Sequence, residues 1–147
     1  MIKKGTFSVE SFLAKQRASM ANRLILGNHR KGRILNIGCG KGFFLTNTAF
    51  SKKYGVNRFR FQIDRNSSNF SKVNLINYNV ESGGFLPFKD SSFSVVTMLA
   101  SIEHIEPSLL VKLIDEIYRV LVLDGKYIIT FPASWTDKLL WLTGKLH

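Results

Sequence analysis

Three glycines at alternate positions, Gly38, Gly40 and Gly42, follow directly on the apolar run Ile34-Leu35-Asn36-Ile37 and lead into Phe43-Phe44-Leu45. Residues without a Cβ, placed where a strand turns into a helix, let a ligand lie against bare main chain. The chemistry suited to such a place is the holding of a nucleotide-like cofactor. Spacing narrows the choice, because dinucleotide folds use G-x-G-x-x-G and here the third glycine comes one residue early. Asp64 closes the run Arg58-Phe-Arg-Phe-Gln-Ile, where an acid at the end of a second strand is placed to accept both hydroxyls of an adenosine ribose. His104 is the one imidazole near these groups in the chain, since His29 lies in a basic lead-in and His147 ends the sequence. With an ordinary pKa of about 6.5, an imidazole can take a proton from a hydroxyl nucleophile at neutral pH.

These residues need elements to position them. From Arg33 onward strands and helices alternate: strand at Ile34–Ile37, helix at Phe43–Tyr54, strand at Phe59–Ile63, a short helix near Ser67, and strand at Val73–Tyr78. A fourth strand, Phe93–Leu99, precedes a helix opened by Pro107, with Leu109, Leu110, Leu113, Ile114, Ile117 and Leu121 on its apolar stripe. Asp124-Gly125 turns into a fifth strand, Tyr127–Phe131. Ser134 and Asp137 could cap a last helix bearing Trp135, Leu139, Leu142 and Leu146. Such alternation predicts an α/β fold: a doubly wound, Rossmann-like parallel sheet covered on both faces. Ahead of it, residues 8–26 read as an amphipathic helix with Phe12, Met20 and Leu24 on its apolar side. All candidate residues then fall at the carboxyl ends of strands, where such sheets bind ligands.

At 147 residues the chain is expected to be one domain, with a basic helical segment at 1–30 and a core at 31–147. The formal net charge of +11 is concentrated at the front, where Lys3, Lys4, Lys15, Arg17, Arg23, Arg30, Lys31 and Arg33 face only Glu10. An anionic partner, RNA among them, is the kind such a surface attracts. Cys39 is the only cysteine, which excludes an intrachain disulfide and a cysteine-rich metal site, so no metal is expected. No apolar run approaches a membrane span or a signal peptide, and a cytoplasmic setting is expected.

Taken in order from Lys31 to Trp141, the motifs resemble those of the class I S-adenosylmethionine-dependent methyltransferases. Arg33-Ile-Leu-Asn-Ile-Gly-Cys-Gly-Lys-Gly42 looks like the first motif, with G-x-G-x-G spacing. Asn79-Val-Glu with Leu86-Pro-Phe88 looks like the adenine loop and its turn, and Glu103-His104 like a step after strand four. Arg119-Val-Leu-Val-Leu-Asp-Gly-Lys-Tyr-Ile-Ile-Thr-Phe-Pro132 looks like the passage into strand five. The Glu-His step and the Phe-Pro are most similar to the small-molecule branch that includes quinone-biosynthesis O-methyltransferases. The resemblance implies S-adenosylmethionine as cofactor, held by Asn36, Gly38, Cys39, Gly40, Asp64, Arg65, Asn79, Val80 and Leu99, with His104 as catalytic base toward a small-molecule O or N acceptor. The family fold carries two further strands beside strand five; this chain stops one helix after it, so a fold lacking them is expected, with strand five an exposed edge open to oligomerisation.

Three positions depart from the family's acids: Asn36, Asn79 and Ser94. These changes favour an alternative, a catalytically silent cofactor-fold domain acting in protein interaction. An RNA-directed methyltransferase is a further alternative. Methylation of a base is disfavoured, since Met98-Leu-Ala-Ser101 stands where base-amine enzymes carry an Asn/Asp-Pro-Pro-aromatic motif and the sole cysteine lies in the first motif.

Overall fold

The computed structural model describes residues 9–58 and 72–131. Its centre is a five-stranded, wholly parallel sheet of β1 (Arg33–Ile37), β2 (Lys52–Asn57), β3 (Val73–Asn77), β4 (Phe93–Leu99) and β5 (Leu121–Thr130), in the order β3-β2-β1-β4-β5. Helices α1 (Val9–Leu24) and α2 (Phe43–Asn47) cover one face and α3 (Pro107–Val120) the other. Central strands buried on both faces read as mainly apolar runs, as β1 and β4 do around the buried polar residues Asn36, Ser94 and Thr97. Alternate residues then serve opposite layers. Ile34 and Val95 join Ala18, Ala21, Phe44 and Leu45, whereas Leu35, Ile37, Val96 and Met98 join Leu113, Ile117 and Val120.

Strand order reverses between β1 and β4, which makes the gap between their carboxyl ends the topological switch point. β4 and the start of α3 stand where the sequence places them. The second strand does not. It is Lys52–Asn57, and the expected helix ending at Tyr54 is only Phe43–Asn47. The helix stops because Thr46 Oγ1 and Asn47 Nδ2 both donate to the Phe43 carbonyl, and Thr48 leaves in extended conformation. Gly55 lets β2 pack closely: a Cβ there would come within 2.8 Å of Cys39 Sγ and 2.9 Å of Leu45 and Leu75 methyl carbons. The segment expected as strand at 59–63, the short helix near Ser67 and the last helix at 134–146 lie outside the described residues.

Two faces also differ from expectation. On α1, Phe12, Met20 and Leu24 are exposed, and the buried side is Ala18 and Ala21, small residues that let the helix axis approach the sheet. On α3, Ile114 faces solvent and Glu116 takes an inward position between Leu113 and Ile117. β5 starts at Leu121, opposite Phe93, breaks register, and resumes with Lys126 opposite Val95. Within that break Asp124 takes φ 63°, and its carbonyl accepts a 3.0 Å hydrogen bond from Nε2 of buried His29.

Candidate active site

The carboxyl ends of β1 to β4 surround a cavity of about 480 Å³, within the range of small-molecule and cofactor sites. β1 contributes Ile37, Gly38 and Gly40, and β2 contributes Asn57 and Arg58. From the segment after β3 come Tyr78, Asn79, Val80 and Glu81. β4 and the turn beyond it supply Met98, Ala100, Ser101, His104 and Ile105.

The glycine loop is built from the sheet outward. Main-chain N–H groups of Gly38 and Cys39 both donate to the Val56 carbonyl, at 2.9 and 3.2 Å, tying the loop to the end of β2. Gly38 has φ 70°, and a Cβ on it would lie 2.7 Å from Ser101 Cβ. Gly40, at φ 49°, would meet nothing within 4 Å, so bare main chain faces open space there. Asn79 Oδ1 accepts from the Glu81 N–H at 3.0 Å and starts the turn Val80–Ser82. That turn presents Glu81 to Arg58, whose Nη1 lies 2.7 Å from Glu81 Oε2. Among the described residues Glu81 is thus the lining's only carboxylate, and it is paired with Arg58.

The site residues expected from sequence divide into three groups. Gly38, Gly40, Asn79, Val80 and His104 line the cavity. Asn36, Cys39 and Leu99 do not. Asn36 is buried in the sheet, where its Oδ1 accepts from Thr97 Oγ1 at 3.1 Å. The Cys39 side chain packs under the loop with Phe44 and Leu45, and Leu99 leans on the same layer. Pleating explains Leu99, since its neighbours Met98 and Ala100 are the ones on the cavity side. Asp64 and Arg65 lie outside the described residues, and the residue at the end of β2 is Asn57. Sequence reading missed Asn57, Arg58, Tyr78, Glu81 and Ser101. Gly55-Val56-Asn57, nineteen positions after the first glycine, was the available signal for the first of them.

Burial pushes the Cys39 thiol up to about 12, which leaves almost no thiolate at neutral pH. Alkylation of the folded protein by iodoacetamide at pH 7 is therefore expected to be at least about a hundredfold slower than in denaturant. Rapid modification of the folded chain would mean that the glycine loop opens readily. Among the described residues no group of three or more His, Cys, Asp or Glu could hold a metal ion, and no helix is long and apolar enough to cross a membrane.

The donor set fits S-adenosylmethionine. The cavity holds bare glycine main chain at the switch point, amides at the ends of two neighbouring strands, and a buried Tyr78 hydroxyl with no partner among the described residues. A five-stranded parallel sheet with this order and this site is the class I methyltransferase form of the Rossmann-like fold. Residues 35–129 match the family model described as a methyltransferase domain, so the chain belongs to that family, whose cofactor is S-adenosylmethionine. Among solved structures, the YcgJ protein of Bacillus subtilis is similar at 21% identity and TM-score 0.66, over 86% of this chain and 56% of that one. A protein of Pyrococcus horikoshii is similar at 24% identity and TM-score 0.67, over 95% of this chain and 64% of that one. A phosphoethanolamine N-methyltransferase of Haemonchus contortus, in complex with phosphoethanolamine and S-adenosylhomocysteine, is similar at 16% identity and TM-score 0.65, over 82% of this chain and 26% of that one. The chain thus spans between half and two thirds of the length of the first two. No curated protein sequence matches it.

Proposed function

We propose that this chain binds S-adenosylmethionine in the cavity and transfers its methyl group to a small-molecule O or N acceptor, in the reducing setting of a cytoplasm. The observation that carries the reading is the convergence of the glycine loop and the ends of β2, β3 and β4 on one cavity at the switch point, in a chain of this family. When bound, the cofactor supplies a sulfonium-activated methyl group. Gly38 and Gly40 offer main chain to its methionine part. Asn57 faces the ribose hydroxyls, while Asn79 and the Val80 N–H read the adenine. His104, exposed at the rim, accepts the proton that a hydroxyl or amine nucleophile releases. Asp64, assigned to the ribose by the resemblance, and Arg65, assigned by it to the cofactor, would add to Asn57.

The amides Asn36 and Asn79, standing where the family carries acids, favour weak cofactor binding, and with it a second reading in which the domain is a silent scaffold. Calorimetric titration with S-adenosylhomocysteine, with NAD as control, separates the two. Micromolar binding of the first alone supports the enzyme, whereas a folded sample that binds neither supports the scaffold. Asn57→Asp is expected to tighten S-adenosylhomocysteine binding by about fivefold, roughly 1 kcal/mol, because a charged acceptor forms stronger hydrogen bonds with ribose hydroxyls than an amide does. Unchanged affinity in that variant would remove Asn57 from the ribose site.

A further inference from the structure

The amino ends of the same strands carry a different feature. Arg33 on β1 is level with Lys52 on β2. Lys53 is level with Val73, and Lys72 is the exposed residue immediately before it, close enough for its charge to act on Lys53. Arg33 and Lys52 therefore stand side by side on adjacent strands about 4.8 Å apart, and exposed Lys72 comes just before the start of the third strand. Lys31, also exposed, leads into this row. One step inside it Lys53 is buried, and its ammonium is held below the usual lysine range by that burial and then by the charge of Lys72.

Nothing among the described residues balances this charge. The ion pairs there join Arg58 to Glu81 and Arg119 to Asp90 and Glu116, all on other parts of the molecule. Arg30, by contrast, is used internally: its guanidinium donates to the Asn22 carbonyl at 2.8 Å and lies over the Phe50 ring. Like charges on facing positions of neighbouring strands work against pairing. A local choice that opposes the fold without a compensating contact marks a surface kept for another purpose.

We propose that Arg33, Lys52 and Lys72 form a docking row for the phosphate backbone of a nucleic acid. A line of fixed positive charges suits a linear polyanion, which gains affinity by releasing its condensed counterions. Docking on a membrane would call for apolar side chains among the cations to enter the acyl boundary, and the row carries none. Because β1 is five residues long, the row lies about 15 Å from the cavity, at the opposite edge of the sheet. The proposal therefore stands apart from the cofactor reading, and S-adenosylhomocysteine binding is expected to be the same with and without the row.

The test uses the full chain and a labelled single-stranded oligouridylate, followed by fluorescence anisotropy over a range of salt concentrations. The triple variant Arg33→Gln, Lys52→Gln, Lys72→Gln is expected to bind at least about tenfold more weakly at low salt, with a salt slope shallower by about 2 for three lost contacts. A comparison variant, Lys15→Gln, Arg17→Gln, Arg23→Gln on α1, removes the same charge and is expected to keep most of the affinity. Equal losses in both variants would reduce the effect to net charge and overturn the proposal. So would a wild-type chain that ignores the oligonucleotide, or one that prefers phosphatidylserine vesicles through the same three residues. All three side chains of the row are exposed, so the variant is expected to fold, with a melting temperature at or above that of the wild type.

Discussion

Arg119→Met is expected to destabilise the domain by about 3 kcal/mol at neutral pH, read from urea denaturation. Glu116 is buried on the inward side of α3, and one of its oxygens accepts from the Leu86 N–H at 2.6 Å. Arg119 answers it with two hydrogen bonds, from Nε at 2.8 Å and Nη2 at 2.7 Å. The same guanidinium reaches the Leu86 and Phe88 carbonyls, at 3.1 and 2.9 Å, and Asp90. One side chain thus fastens the whole segment before β4 to α3. Removing it strands a buried carboxylate, which costs far more than the net worth of an intact pair. Asp90→Ala is the contrast, since that carboxylate is largely exposed and its loss is expected to cost under about 1 kcal/mol.

The pH dependence gives this expectation a sign. Hydrogen bonds from Arg119 hold the Glu116 carboxyl below its usual range, against the raising effect of its burial. A folded-state pKa below the unfolded value contributes stability above the unfolded pKa, about 4.3 for a glutamate, and loses it as pH falls through the folded value. In the variant the buried carboxyl has lost that support, so its folded pKa rises and its penalty grows with pH. The gap between wild type and variant is therefore expected to be widest near neutrality and to narrow toward pH 4. A gap independent of pH would show that Arg119 acts through packing and its carbonyl contacts alone.

Gly38→Ala is expected to cost about 2 to 3 kcal/mol of stability and at least tenfold in affinity for S-adenosylhomocysteine. The left-handed backbone accounts for about 1 to 2 kcal/mol of this, and the rest comes from contact with Ser101. Ser101 Oγ donates to the Ile37 carbonyl at 3.2 Å across the switch point, so moving it parts the ends of β1 and β4 where the cavity begins. Gly40→Ala separates the two effects. With open space around it, that Cβ is expected to cost only the backbone term while still reducing affinity, because the space is the cavity itself. Adding Ser101→Gly to Gly38→Ala is expected to restore part of the stability, and no recovery would place the strain elsewhere.

The parts of this fold that were legible in sequence are those whose burial is written locally. Phe93–Leu99 is apolar enough to be a central strand wherever it sits, and Pro107 marks a helix start by its own geometry. β2 is different. Lys52, Lys53 and Gly55 break its pattern, and it becomes a strand because β1 and β3 pair with it on both sides and Gly55 admits Cys39, Leu45 and Leu75. That displacement changed the residue at the strand's end to Asn57. The inward place of Glu116 is not written in the apolar stripe of α3, because its partners, Leu86 and Arg119, belong to a loop and to the next turn. The glycine loop was plain, whereas the inward turn of Cys39 depends on the open flank of Gly55, which no local spacing reveals.

The pairing of β1 with β4 brings together residues 61 positions apart, as at Asn36 and Thr97, and the cavity lies on that seam. Closing so long a loop is a late and slow event in folding. Until it closes, the glycine loop faces neither Ser101 nor Ala100, and no binding surface exists. Ligand occupancy is therefore coupled to completion of the whole sheet. Saturation at a hundred times Kd adds about 2.7 kcal/mol to unfolding, a reserve that a half-folded chain does not share and that makes the cofactor an arbiter of which molecules have finished folding.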